Sequence, residues 1–281
     1  MLTGRTYDDD RARTWFGFMM HETGERLDVS IDDGVARIVL NRPTSANAID
    51  EQFGVEFEAA AMACAEAKVR VVLISALGKQ FCVGGDLKDF AGRDDIGSHL
   101  DRVTGPLHRG IATLVEADAP VIVAMRGAAA GAGLGLVCAA EIVIAGESST
   151  FLMAYTKIGL SPDGSTSWFL ARHIGLRRAL DLTITNRVLS ASEALAWGLV
   201  SRVVADDDLD AEAESLVDAL RVGPTAAYGA SARLMRSSLD RSLRDQLDAE
   251  ADSIASCANG DDGREGMRAF LERRAPNFTW E

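Results

Sequence analysis

The sequence predicts an α/β fold with a parallel sheet in its first two thirds and a helical region at its end, on three observations. Short apolar runs at 69–75, 121–125 and 142–145 alternate with longer helical patterns, an order that implies parallel pairing and crossover connections. A hairpin signal precedes them, at 26–30 and 35–40 around Asp32-Asp33-Gly34. After Ser161-Pro162-Asp163-Gly164 the pattern turns mostly helical.

Taken in order, residues 1–24 contain Asp8-Asp9-Asp10 and a six-residue apolar patch at 15–20. They fit neither a signal peptide nor an acid-poor transit peptide and read as an N-terminal extension. Asn41-Arg42-Pro43 ends the hairpin, and Asp50 is placed to cap a helix through about Lys68. A strand at 69–75, a loop at 78–86 and a helix over 98–117 lead to the central stretch, 120–141. There a buried strand breaks at Gly127, passes small residues and resumes as an apolar helix from about Gly133. The first N–H groups of such a helix lack internal partners and carry partial positive charge, so the corner suits an anionic oxygen. It is no dinucleotide fingerprint, because the third glycine would fall on Leu136.

Further on, Ser190-Ala191-Ser192-Glu193 is a capping box leading to Gly198 as C-cap. Leu239, Leu243, Leu247 and Ile254 recur on one helical face, between breaks at Pro224 and Asn259-Gly260. These marks divide the chain into the extension (1–24), a core (25–205) and a C-terminal helical region (206–281) whose apolar face suits another subunit. No internal repeat or low-complexity segment interrupts them.

Composition narrows the function. The 281 residues are 47 % hydrophobic and 25 % charged, as in a soluble globular enzyme, and no apolar run approaches the length of a bilayer span. An excess of 42 acidic over 29 basic residues gives a charge of −13, which argues against a nucleic-acid face and for small molecules or other subunits as partners. Cys64, Cys82, Cys138 and Cys257 are widely spaced and read as reduced residues of a cytoplasmic protein. His21, His99, His108 and His173 form no ligand spacing, so no metal is expected.

Several stretches in this order resemble the crotonase (enoyl-CoA hydratase/isomerase) superfamily. They are Leu40-Asn41-Arg42-Pro43 with Asn47-Ala48, the run from Phe81 through Gly84-Gly85-Asp86 to Leu87, Gly127 through Gly135, and Glu265-Gly266-Met267 with Ala269-Phe270. The resemblance covers roughly residues 25–278 and implies a spiral of ββα turns followed by a trimerising helical region. It implies acyl-CoA thioesters as substrates, no tightly bound cofactor beyond the coenzyme A that the substrate carries, and a homotrimer or dimer of trimers. By the same resemblance the Gly85 and Ala132 amides would bind the thioester oxygen, with Gly84 and Gly131 beside them. Arg42, Ser45, Ala46, Ala48 and Lys88 would lie along the CoA, and Arg273 and Arg274 could meet its phosphates. On the residues alone, Gly84-Gly85 reads as an ordinary tight turn.

The chemistry departs from the hydratases. The two glutamates of that subfamily fall here on Gly135 and Tyr155, and neither can replace a carboxylate near neutral pH. Asp163 falls where enoyl-CoA isomerases keep one acidic residue, and a single carboxylate can take a proton from one carbon and return it to another. Isomerisation is therefore the first expectation, with Asp163 catalytic and Tyr155 and Trp168 along the substrate. Taken alone, Asp163 reads as a turn or cap residue of the helix that follows.

A second resemblance, over 159–204, is to 4-chlorobenzoyl-CoA dehalogenase. It places a nucleophile at Asp163 and a water-activating histidine at His108, which lies at the edge of the apolar stripe Val103, Leu107, Ile111, Leu114 and Val115. A boundary histidine bonded to backbone would look the same. Hydratase activity and a non-catalytic CoA-binding protein complete the alternatives. A serine hydrolase does not fit, since Gly159-Leu160-Ser161-Pro162-Asp163 misses GxSxG.

Overall fold

A computed structural model describes residues 20–279. The chain runs through β1 (Met20–Thr23), β2 (Leu27–Asp32), β3 (Val35–Leu40), α1 (Glu51–Glu66), β4 (Val71–Ala76), α2 (Leu87–Ala91), α3 (Ile96–Glu116), β5 (Val121–Met125), β6 (Ala128–Ala130), α4 (Ala132–Ala139), β7 (Ile142–Gly146) and β8 (Thr150–Leu152). It continues through α5 (Thr166–Ile174), α6 (Leu176–Thr185), β9 (Leu189–Ser190), α7 (Ala191–Trp197), β10 (Arg202–Val204), α8 (Leu209–Arg221), α9 (Thr225–Ser237), α10 (Leu243–Asn259) and α11 (Asp261–Glu272).

A seven-stranded sheet takes the order β1-β2-β3-β4-β5-β7-β10, antiparallel from β1 to β3 and parallel from β3 onward. A smaller sheet, β6-β8-β9, stands beside it. The chain steps from the large sheet to the small one at β5–β6 and again at β7–β8, each time followed by helix, which makes the ββα spiral. The hairpin turn holds Asp33 and Gly34 at φ 47° and 74°, the left-handed pair that matches strand twist.

One face of the sheet is covered by α1 and α3, whose Phe53, Phe57, Val103, Leu107 and Ile111 bury against Ile38, Val72, Ile74 and Val123. The apolar stripe read in the sequence is thus the inner face of α3. On the other face Leu209, Ala213 and Val217, one per turn of α8, cover Val35, Val71, Leu73, Ile122 and Ile144. Each of these side chains apart from Ala213 contributes about 1.5–3 kcal/mol on burial.

Two boundaries move. The extension expected over 1–24 ends earlier, since residues 20–23 pair with 28–31 as an edge strand. The rest of that segment, with Asp8-Asp9-Asp10 and most of the 15–20 patch, lies outside the described residues. The helical region expected from 206 lends its first helix, α8, to the core, so the arm proper is α9 to α11. Short strands β6, β8, β9 and β10 and the five-residue α2 escape the sequence pattern, because two or three residues show no period. Among the described residues no helix is long and apolar enough to cross a membrane.

Candidate active site

Two glycine corners are brought together by backbone bonds. Cys82 N–H donates to the Ala128 carbonyl (3.1 Å) and Ala130 N–H to the Cys82 carbonyl (2.9 Å), which ties the 82–86 loop to β6. Ile49 N–H donates to the Gly84 carbonyl and Asp86 N–H to the Ile49 carbonyl, both at 2.8 Å. These bonds engage both neighbours of Gly85, and Gly131, beside Ala132, donates its N–H to the Leu152 carbonyl (3.1 Å). Among the described residues no hydrogen bond draws on the Gly85 or Ala132 N–H itself.

Gly131 sits at φ 53°, and a Cβ there would lie 3.6 Å from the Gly84 Cα, so the two corners touch. Ala132 opens α4, where the helix leaves its first N–H groups unbonded. Two free amides on corners that touch can hold an anionic oxygen.

Asp163 lies against this corner. The residue after it, Gly164, packs on Ala132, since a Cβ at 164 would be 3.1 Å from the Ala132 Cβ. The Asp163–Gly164 peptide is gripped at both ends. Its carbonyl accepts from Tyr155 Oη (3.1 Å), Thr166 Oγ1 (2.7 Å) and Thr166 N–H (3.1 Å), and its N–H donates to His108 Nε2 (3.1 Å). His108 Nε2 is also 3.7 Å from Asp163 Oδ2, close but beyond a direct hydrogen bond. The Asp163 carboxylate caps no helix: α5 begins after Ser165, which makes no side-chain cap bond.

Tyr155 is buried, with its ring 3.7 Å from where a Gly131 Cβ would be. Burial first, and the nearby Asp163 charge second, push its phenol above the ordinary value. It therefore stays protonated and serves as a donor. Non-glycine residues take left-handed backbone on both sides of the site, at Ala154 (φ 62°) and Ser165 (φ 69°). Such positions cost on the order of 1–3 kcal/mol and gather where a site is fixed by its surroundings.

Position 135 has no room for a side chain. A Cβ on Gly135 would come within 2.0 Å of the Gly164 carbonyl oxygen. The loop that carries Asp163 thus fills the space into which a side chain at 135 would extend.

The residues expected along CoA fall into two sets. Arg42 is largely engaged, with Nη1 3.0 Å from Asp50 Oδ2 and Nη2 2.9 Å from Asp86 Oδ2. It braces the caps of α1 and α2, because Asp50 accepts from Phe53 N–H and Asp86 from Lys88 N–H. Ser45 and Ala46 are half-buried and Ala48 is buried, in a loop shaped by Asn47. Asn47 (φ 54°) is buried and reaches the Leu77 and Gln80 carbonyls and the Arg42 N–H. Lys88 is exposed at the start of α2.

Arg274 is held by Glu265 and Glu272, and Arg273 ends α11. Trp168 is part-exposed on α5, edge-on to Phe169 and beneath Arg172. Asn47 and Asp86 stand in the stretches that carry the family resemblance, but their roles in bracing the loop and α2 do not show in the sequence. The tolerance of asparagine for left-handed backbone was the available signal for Asn47.

The cysteines are free, and burial pushes the Cys82 and Cys138 thiols up to about 12. Cys82 and Cys138 are inert core residues, whereas Cys257 is half-buried on α10. No group of three potential metal ligands occurs among the described residues.

Comparison with known proteins agrees with this architecture. A model of the enoyl-CoA hydratase/isomerase family matches residues 30–281. The chain is 35 % identical over 255 residues to 1,2-epoxyphenylacetyl-CoA isomerase of Escherichia coli K12, covering 89 % of this chain and 96 % of that protein. It is also 35 % identical over 250 residues to a probable enoyl-CoA hydratase of Rhodobacter capsulatus, with the same coverage. A crystal structure of a putative enoyl-CoA hydratase/isomerase from Mycobacterium abscessus superposes with a TM-score of 0.83 at 35 % identity, covering 94 % of this chain and all of that one. With its spiral sheet, its paired glycine corners and this match over most of its length, the chain belongs to the enoyl-CoA hydratase/isomerase family.

Proposed function

We propose that the protein moves a double bond of an enoyl-CoA, with Asp163 as the single proton carrier and the Gly85 and Ala132 amides as the oxyanion hole. The observation that carries this reading is the Gly164 carbonyl at position 135. Water addition in this family uses two carboxylates, at the positions of Gly135 and Tyr155, and here the loop that brings a different one, Asp163, closes the space of the first. Tyr155, at the second hydratase position, is a buried phenol whose hydroxyl is engaged by the Asp163 backbone. One carboxylate suffices for isomerisation.

In the proposed cycle the thioester oxygen sits on the two free amides. Asp163 removes a proton from the carbon α to the thioester, charge moves onto the oxygen, and the conjugated dienolate takes the proton back at its far carbon. Each amide donor at such an oxygen is worth about 3 kcal/mol of barrier. The gripped peptide leaves the Asp163 carboxylate two torsions with which to reach both carbons. The substrate would supply coenzyme A along the 42–48 loop and Lys88, with the acyl group toward Tyr155 and Trp168. The uncovered apolar residues of α9–α11 support a homotrimer or a dimer of trimers. The isomerase similarity supports the reaction class.

The test is turnover of a 3-enoyl-CoA followed by product identity. Asp163→Asn is expected to lower kcat by about 10²–10⁴-fold with the fold intact by circular dichroism. Unchanged turnover would sink the reading. A second reading, attack by Asp163 on an aromatic acyl ring with water activated by His108, draws on the 3.7 Å approach of the two side chains. Halide release from a 4-halobenzoyl-CoA, requiring both residues, would favour it.

A further inference from the structure

We propose that His108 is the route by which the proton held on Asp163 exchanges with bulk water, so that each turnover chooses between returning the substrate's own proton and replacing it. This rests on Asp163 being the proton carrier.

The geometry gives the two faces of the ring different tasks. Nε2 accepts the Gly164 N–H at 3.1 Å, so the neutral ring carries its proton on Nδ1. Nδ1 has no hydrogen-bond partner among the described residues, and the side chain is 47 % exposed, against 30 % for Asp163. The imidazole thus reaches from the carboxylate out to solvent. Tyr155 cannot serve, because its hydroxyl donates to the Asp163 carbonyl and burial keeps it protonated. Thr166 Oγ1 is likewise turned to that carbonyl.

Two groups 3.7 Å apart can share one water, each at ordinary hydrogen-bond distance. Asp163, neutral after taking the substrate proton, passes it through that water to Nε2. Nδ1 gives its own proton to bulk water, and the Gly164 N–H releases Nε2 as the new proton arrives. The ring stays neutral and Asp163 returns to carboxylate. In deuterium oxide the bridging water, which holds the substrate proton after the first transfer, exchanges with bulk while Asp163 is a carboxylate; the reverse sequence then passes a deuteron from Nε2 through that water to Asp163 as Nδ1 takes up another, and the dienolate receives it. No charge is gained or lost over the exchange.

The experiment follows a 3-enoyl-CoA in deuterium oxide, reading deuterium in product and in residual substrate by mass spectrometry. Wild type is compared with His108→Gln and His108→Ala, with Asp163→Asn as the blank for uncatalysed wash-in. Glutamine keeps an acceptor for the Gly164 N–H but cannot relay a proton, so it separates exchange from loop positioning. The expected result is deuterium in the wild-type product and about a tenfold fall in deuterium per double-bond shift in both His108 variants.

Equal incorporation per shift in wild type and His108→Gln would overturn the proposal, as would wild-type product free of deuterium. Deuterium entering residual substrate through His108 with no double-bond shift would keep the exchange route and reject the isomerase reading. No deuterium in either pool, with product formed, would reject the route and keep the reaction.

Discussion

The spiral core and the C-terminal arm treat their apolar residues in opposite ways. In the core, Phe53, Phe57, Phe81 and Phe151 are wholly buried, and the site is lined by backbone packed so closely that a Cβ at 135 would strike a carbonyl. In α10 and α11, Leu243 is 76 % exposed and Phe270 82 % exposed, although both helices are regular and well capped or braced. The core finishes its packing within one chain. The arm holds an apolar face that this chain alone does not cover, and soluble proteins rarely leave such faces open. The difference separates a closely packed region that brings the candidate site together from a region whose apolar face is left uncovered.

The sharpest break in that comparison comes from glycine. Gly135→Ala should lose about 3 kcal/mol or more in urea unfolding, because its Cβ meets backbone rather than a movable side chain. Gly92→Ala, at φ −89° with nothing within 4 Å of the new Cβ, should stay within about 0.5 kcal/mol of wild type. Equal effects would mean that the loop at 163–164 yields readily.

A smaller effect is expected at Arg42. Arg42→Ala leaves Asp86 without its cation and Asp50 with only Arg26, at a cost of about 2 kcal/mol by chemical denaturation. If Arg42 instead served mainly to bind CoA, stability would hold and only KM would rise.

In the arm, Leu243→Ser with Phe270→Ser should change monomer stability by no more than about 0.5 kcal/mol. The same pair should shift sedimentation toward the monomer. An unchanged assembly would remove this face from the interface.

The smallest effect is electrostatic. Arg274 first, then the Asn277 N–H, lower the Glu265 carboxyl from its ordinary 4.5 to about 2. Its contribution is therefore present above pH about 4.5 and lost as pH falls through about 2. Protection from hydrogen exchange at the end of α11, corrected for the intrinsic rate at each pH, should fall across that window in wild type. In Glu265→Gln it should be lower at every pH above the window and flat across it.

Much of this was legible in the residues. Asp50 caps α1, Ser190 and Glu193 form the capping box, Gly198 ends α7, and the strands at 121–125 and 142–146 fall where apolar runs predicted them. Family resemblance, carried by four ordered stretches, pointed to the glycine corners, and the match to the isomerases' acidic position pointed to Asp163. What stayed hidden depends on contacts between distant parts of the chain. Nothing near Gly135 in sequence reveals that Gly164 lies on it. Arg42 is a basic residue in a loop until Asp50 and Asp86 are seen on either side. The small sheet is invisible because strands of two or three residues carry no pattern.

The proposed reaction needs one carboxylate, Asp163, to carry out the proton transfer. The most direct measurement is the mass of the product formed from a 3-enoyl-CoA by wild type and by Asp163→Asn. The predicted result is a double-bond isomer of unchanged mass, formed by wild type and lost in Asp163→Asn. A product heavier by one water, formed equally by both proteins, would contradict it.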